Sequence, residues 1–242
     1  MSSFTFVNNF IPMLKQYFKK VFNFSCELNS IHELLNSNKL TNEEKAYHSI
    51  IQEIGVNDRN SIFIKNFHQF IDSNSSFNDI YIEFIKTYIK PLFPKEDKLV
   101  IQKTPNLRIS FPNSTAIGKN EKKDPNTNII GLHCDADFGH HCEEVNFIIP
   151  ITEMMDTNSI YYEPLENSEI KYEDYENLKL SENEFFMVKF NKLKHFNKIN
   201  KTNKTRISLD LRIIPYSKYI ENELFFKNTK FDWKSNDYYC VL

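Results

Sequence analysis

His133, Asp135 and, much later, His195 are the residues of this chain whose types and spacing could do chemistry. Two imidazoles and a carboxylate can take three adjacent positions around an octahedral ion and leave the rest open to reactants. That donor set suits a non-haem Fe(II) centre for oxidative chemistry. Arg206 and Ser208 follow His195. A guanidinium binds a carboxylate through parallel hydrogen bonds, and a hydroxyl can add another. The combination calls for an oxidative centre served by a dicarboxylate co-substrate. An H-x-D triplet alone is a weak signal. Joined to a distant histidine and a following R-x-S, it is much stronger.

These residues need strands to position them. Residues two apart on a strand point to the same face, so His133 and Asp135, at the end of Ile129-Ile130-Gly131-Leu132, can reach one ion with Cys134 pointing away. His195 comes after the strand-like Phe185–Phe190, and a jelly roll returns a late strand beside an early one. On the next run, Arg206, Ser208, Asp210 and Arg212 share one face, and Ile207, Leu209, Leu211 and Ile213 take the other. A barrel interior that holds a charged ligand explains a polar face on so apolar a strand.

The remaining pattern divides near Lys98. Residues 1–98 read mainly as helix. Phe10, Ile11, Leu14, Phe18 and Phe22 recur at helical spacing with Lys15, Lys19 and Lys20 elsewhere on the wheel. Such a basic amphipathic helix can lie on a membrane, but it more commonly packs on its own core. Thr41 and Glu44 form a capping box, and the helix they open should stop at Gly55. Another helix is predicted from near Ser76 through Tyr88, ended by Pro91 and Pro94. After Lys98, strands are predicted at 99–103, 107–111, 128–133, 145–151, 159–162, 185–190 and 205–214. Residues 164–183 and 120–126 read as loops. Short strands at modest intervals favour a jelly roll or barrel over a parallel sheet. The fold class is therefore α+β. Residues 1–98 form a helical region packing on a 99–242 core with an aromatic tail, together one structural domain.

Composition bounds the partners. The 242 residues carry 30 Lys plus Arg against 32 Asp plus Glu, a net charge of −2. That balance lacks the basic footprint of a nucleic-acid binder. No apolar run is long enough to predict a membrane span. Cys26, Cys134, Cys142 and Cys240 form no C-x-x-C pair and no disulfide framework. With no secretory signal at the start, a reduced, cytoplasmic protein is expected. A Cys/His zinc site from His133, Cys134, His141 and Cys142 matches no structural zinc spacing.

The motifs resemble a known family, the 2-oxoglutarate and Fe(II)-dependent oxygenases, in the branch related to streptomycin-biosynthesis oxygenases and, more distantly, the phytanoyl-CoA hydroxylase group. The stretch from His133 to Thr152 resembles that branch's H-x-D, E-x-N and P-[LI]-T. The stretch from His195 to Pro215 resembles its closing N-x-T-R-[VI]-S-x-D-x-R. The resemblance spans residues 99–215. It implies a double-stranded β-helix (jelly roll), with His133, Asp135 and His195 as Fe(II) ligands and Arg206, assisted by Ser208, on the distal carboxylate of 2-oxoglutarate. It also implies O2 as co-substrate, succinate and CO2 as products, and hydroxylation of the substrate. Related halogenases carry a small residue in place of the metal carboxylate, so Asp135 favours hydroxylation or desaturation.

Other polar residues have roles open to the structure. Asn146 serves strand pairing or contacts co-substrate or substrate. Arg212 holds a substrate anion, or pairs with Asp210 or a loop carboxylate. Arg108 and Glu163 are candidate substrate contacts. His140 and His141 line the cavity mouth or replace a ligand. His32, His48 and His68 read as surface or packing residues. The tail 231–239 forms a lid or packs on the core. A polar small-molecule substrate is expected, with no nucleic acid and no membrane partner. The alternatives are a hydroxylase of a protein or nucleic-acid target and a non-catalytic metal-binding jelly-roll module.

Overall fold

A computed structural model describes residues 1–46, 61–114, 129–164, 171–221 and 238–242. The chain opens with strand β1 (Ser2–Thr5) and helix α1 (Phe10–Phe22), followed by a 3-10 segment, Leu28–Asn36. Thr41 caps the helical residues 42–46: its Oγ1 accepts from the Glu44 N–H at 3.2 Å, and Glu44 Oε2 accepts from the Thr41 N–H at 2.7 Å. The predicted stop at Gly55 lies outside the described residues. Helices α2 (Ile62–Asp72) and α3 (Ser75–Phe84) follow. Pro91 cannot donate to the carbonyl four residues back. The chain widens to a π turn at Ile85–Ile89 and ends in a 3-10 turn, Lys90–Leu92.

The strands are β2 (Leu99–Gln102), β3 (Asn106–Ser110), β4 (Ile129–His133), β5 (Val145–Pro150) and β6 (Ile160–Tyr162). Then come β7 (Glu176–Asn177), β8 (Glu184–Val188), β9 (His195–Lys198), β10 (Arg206–Pro215) and β11 (Tyr239–Val241). All their pairings are antiparallel. The larger sheet runs β1-β8-β5-β10-β2-β11, with β3 also on β10. The smaller runs β4-β9-β6-β7. From β3 to β10 the chain thus alternates between sheets, with β6 and β7 staying together. Ile148, Phe186 and Val188 of the larger sheet share an apolar cluster with Ile160 and Tyr162 of the smaller.

The helices cover the opposite face of the larger sheet. Phe10, Leu14 and Phe18 of α1 are buried in one cluster with Phe77 and Phe84 of α3 and Phe147, Phe185 and Leu209 of the sheet. The apolar stripe of α1 therefore faces the protein's own core, and Lys15, Lys19 and Lys20 face outward. Burying one such aromatic side chain is worth about 1.5–3 kcal/mol, which fixes helix to sheet. The Leu28–Asn36 segment also ties to β10: the Thr205 N–H donates to the Asn29 carbonyl at 2.7 Å, and His32 Nδ1 lies 2.8 Å from Thr205 Oγ1. None of the described helices is long and apolar enough to cross a membrane.

Candidate metal centre

His133 and His195 sit directly opposite each other on β4 and β9, an arrangement that places paired side chains side by side. Their ring centroids are 4.3 Å apart. Asp135 Oδ1 lies 3.7 Å from His133 Nε2 and 3.8 Å from His195 Nε2. The donor atoms of the trio lie within 4.8 Å of one another, so one ion could touch all of them. The local backbone corrects one detail of the sequence reading. β4 stops at His133, and Asp135 begins a 3-10 turn, Asp135–Phe138, rather than lying two along the strand. The strand is already irregular between Ile130 and His133, and Gly131 there has φ 70°, a conformation open to glycine at little cost.

Each donor is oriented by a second contact. His133 Nδ1 faces the Gly131 carbonyl, and His195 Nδ1 the Leu193 carbonyl at 3.1 Å. A proton held at Nδ1 leaves the Nε2 lone pair for an ion. Asp135 Oδ2 accepts from Asn146 Nδ2 at 2.8 Å and from Arg212 Nη2 at 3.1 Å, and Oδ1 is left to the imidazoles. Asn146 Oδ1 in turn accepts the Phe190 N–H, and the Phe190 carbonyl accepts the Asp135 N–H at 2.8 Å. The Phe190 ring stacks on His195 with centroids 4.1 Å apart, and Phe138 meets His133 edge-on. Glu163, buried, accepts the Lys194 N–H at 2.9 Å and so braces the approach to His195.

Protonation follows burial and charge. Burial pulls His195 down to about 4, against the opposing pull of Asp135, so the ring is neutral as a metal ligand must be. Burial alone would raise Asp135, but Arg212, His133 and the other nearby imidazoles hold it well below the usual carboxylate range. Arg212 itself is raised: burial opposes its charge, and Tyr238, Asp135 and Glu144 overcome that opposition. Burial raises the Cys134 thiol to about 11; its Sγ lies 3.6 Å from the Lys192 carbonyl. All four cysteines are free.

Arg206 opens β10 with 1% of its surface exposed. Its Nη1 donates to Asn197 Oδ1 at 3.3 Å. Asn197 lies two residues beyond His195 on β9, on the same strand face. Arg206 Nε and Ser208 Oγ are buried with no hydrogen-bond partner among the described residues. Burial pulls the Arg206 guanidinium down to about 10. A buried cation and hydroxyl left with unused donors form a cradle that an anionic, multi-oxygen ligand would complete.

The other candidates are already engaged. Arg108, opposite Ser208 across β3 and β10, donates through Nε to Asp210 Oδ2 at 2.9 Å. Arg212 is held by Asp135 and Glu144. His140 Nδ1 lies 3.2 Å from Glu144 rather than in the His133–His195 trio, and Asn191 Nδ2 donates to the His140 and His141 carbonyls. Sequence reasoning missed the parts played by Glu144, Asn197 and Asn191. The first two carried a signal, since Glu144 precedes an apolar strand and Asn197 follows His195 at strand spacing.

No family model matches the chain. Over 146 residues it is 27% identical to the streptomycin biosynthesis protein StrG of Streptomyces griseus, covering 60% of this chain and 62% of that protein. It thus spans less than two thirds of that relative's length. Among solved structures it is similar to the non-haem monooxygenase ThoJ in its nickel complex, at 15% identity over 49% of this chain and 45% of that one, with a TM-score of 0.35. It is also similar to HygX from Streptomyces hygroscopicus with iron bound, at 8% identity over 73% of this chain and 87% of that one, with a TM-score of 0.34. HygX with nickel and 2-oxoglutarate bound gives 10% identity over the same shares and a TM-score of 0.32. TM-scores this low establish no shared fold.

Proposed function

We propose that this protein is a cytoplasmic non-haem Fe(II) dioxygenase that uses 2-oxoglutarate and O2 to hydroxylate or desaturate a polar small-molecule metabolite, releasing succinate and CO2. The observation that carries the reading is one of position. The His133, Asp135 and His195 donor set connects to Arg206 through β9, where Asn197, two residues beyond His195, accepts from Arg206 Nη1, and Arg206 Nε and Ser208 Oγ are buried without a hydrogen-bond partner among the described residues. A purely structural metal site has no use for a buried guanidinium whose Nε is left without an acceptor.

The residues present fit the group. His133 and His195 offer Nε2 and Asp135 offers Oδ1, all on one side, which suits a facial set on Fe(II). When bound, the iron supplies the redox chemistry by which O2 oxidises 2-oxoglutarate and a substrate C–H bond. Arg206 and Ser208 take the distal carboxylate of 2-oxoglutarate, and the Asn197 amide steadies the guanidinium. Asn146 is a positioning residue that fixes the Asp135 carboxylate. The Phe190 and Phe138 rings shield the imidazoles. The alternation of β3 to β10 between two antiparallel sheets supports a jelly-roll core. The relative's naming for streptomycin biosynthesis supports a small-molecule substrate over a macromolecular one, and free thiols suit a reducing compartment.

The test is anaerobic addition of 2-oxoglutarate to the Fe(II)-loaded protein, read as the weak visible charge-transfer band of the chelate. Turnover follows as succinate release across a panel of polar metabolites. A metal-loaded protein that gives no band on saturation with 2-oxoglutarate would refute the co-substrate assignment.

A further inference from the structure

At the Oδ2 edge of Asp135, with His133 and His195 at Oδ1, a second set of charged groups is buried. Glu144 is 0% exposed and lies with Asp135 and His140 in a group whose donor atoms are within 4.8 Å of one another. That group could be taken for a second metal site. The Arg212 guanidinium already stands in it. Its Nη2 donates to Asp135 Oδ2 at 3.1 Å, and its Nε lies 2.8 Å from Glu144 Oε1, an ion pair without hydrogen-bond geometry. Its Nη1 donates to Tyr238 Oη at 3.0 Å. Tyr239 Oη donates to Glu144 Oε2. Both tyrosines come from the C-terminal strand end, far along the chain from Asp135.

We propose that Arg212, Glu144 and Tyr239 are positioning residues of the metal centre: they hold Asp135 by Oδ2 so that Oδ1 alone is presented to the ion. The proposal rests on His133, Asp135 and His195 being the metal ligands. A free carboxylate can rotate or bind an ion through both oxygens. Here one oxygen is committed to a guanidinium whose own position is fixed by a second buried carboxylate. That carboxylate is held in turn by a tyrosine hydroxyl of β11. Contacts to Asp135 from β5 (Asn146) and β10 (Arg212) come from a cross-strand pair, since Arg212 lies opposite Asn146. The carboxylate is thus gripped by adjacent strands of one sheet. The guanidinium takes the place a second cation would need between Asp135 and Glu144.

The test is anaerobic Co(II) titration, followed by the visible bands of the bound ion, with no turnover required. Arg212→Lys keeps the charge but cannot bridge both carboxylates with a planar fork. It should weaken Co(II) binding about 10- to 100-fold, the usual effect of losing a group that orients a ligand, and shift the Co(II) bands. Tyr239→Phe removes one hydroxyl and keeps the ring. It should weaken binding about 3- to 10-fold, and it carries the test if Arg212→Lys does not fold. Tyr17→Phe deletes a buried tyrosine hydroxyl that bonds to the Phe63 carbonyl in the helical core, and should leave Co(II) affinity unchanged. Wild-type affinity and bands in Tyr239→Phe and in any folded Arg212→Lys would overturn the proposal while leaving the metal reading intact. Equal weakening by Tyr17→Phe would overturn it as a general loss of stability. A wild-type protein that does not bind Co(II) would overturn both.

Discussion

Replacing Arg206 with Met should have opposite effects on co-substrate binding and on stability. The guanidinium is almost fully buried, and among the described residues its Nε is unpaired and its Nη1 has a neutral hydrogen-bond partner, Asn197 Oδ1, at 3.3 Å. In the proposed complex it forms a charge-assisted pair with the distal carboxylate of 2-oxoglutarate. Removing one partner of such a buried pair costs about 2–5 kcal/mol. At about 1.4 kcal/mol per tenfold, that is a loss of about 30- to 4,000-fold in 2-oxoglutarate affinity. Without the co-substrate, the same cation is a burden: burial has drawn it down to about 10, and a desolvated charge without a full partner is unfavourable. Met fills similar length without charge, so the unfolding midpoint of the ligand-free variant should not fall below that of the wild type. Affinity is read from the charge-transfer band in anaerobic 2-oxoglutarate titrations, and stability from urea unfolding of metal-free protein. An Arg206→Met variant that binds 2-oxoglutarate like the wild type would refute the assignment. One that is strongly destabilised without ligand would show that the guanidinium is structural.

The remaining predictions concern the metal ligands. Asp135→Ala should abolish Fe(II) retention and turnover, checked by metal content after desalting; retained iron and unchanged turnover would show that the ligand set is wrong. Metal-free protein should lose stability in acid. His195 has a folded value of about 4, below the ordinary histidine value of roughly 6.5, so between those pH values the unfolded chain binds the extra proton. The His195 contribution is full above about pH 6.5 and falls as pH drops towards 4, by on the order of 3 kcal/mol. Denaturant titrations at pH 7 and 4.5 should show a smaller drop for His195→Gln, and identical drops would contradict the burial argument. Gly131→Ala should cost about 1–2 kcal/mol, because φ 70° crowds a Cβ, and should weaken Co(II) binding by displacing the carbonyl that faces His133 Nδ1. Wild-type affinity in that variant would remove Gly131 from the site's support.

Much of this was legible in residue order because strands keep a strict alternation. β2, β3, β4, β5, β6, β8 and β10 fall within a residue or two of where the pattern of apolar and polar residues put them. β9 escaped, because His195-Phe196-Asn197-Lys198 is short and half polar, and its pairing with β4 and β6 is long-range. Its absence from the pattern hid Asn197. β1, β7 and β11 are short, and their strand character comes from neighbours supplied by the fold rather than from local propensity. α2 was hidden for a different reason: its Phe-rich sequence suits helix and buried strand alike. The identity of Arg212's partners lay beyond sequence altogether. An arginine on a polar strand face states that a charge must be met. It does not state which of Asp210, Glu144 or Asp135 will meet it, and here Arg108 takes Asp210 and leaves Arg212 to the other two.

That division of partners bears on why two arginines on one strand face could serve different ends. Arg108 pairs with Asp210 and Lys194 with Glu163, while Asp135 and Glu144 together exceed Arg212 by one negative charge and Arg206 stands apart with one positive charge. On the proposed reading, a divalent ion at the His133, Asp135 and His195 set turns the local excess beside Asp135 into one positive charge. A dicarboxylate then meets a positive charge at each end, the ion at one and Arg206 at the other, and the loaded site is neutral. Buried charges that meet in opposite pairs satisfy the condition for holding ions in a protein core. The same count gives an order of assembly. Before the metal binds, the dicarboxylate would enter beside an uncompensated carboxylate, with only Arg206 to attract it. After the metal binds, both of its carboxylates have a cationic partner. Metal should therefore bind first, and 2-oxoglutarate affinity measured on metal-free protein should be far weaker than on the Fe(II) form. Equal affinity in the two forms would mean that Arg206 acts without the metal, and the coupling between the two halves of the site would be lost.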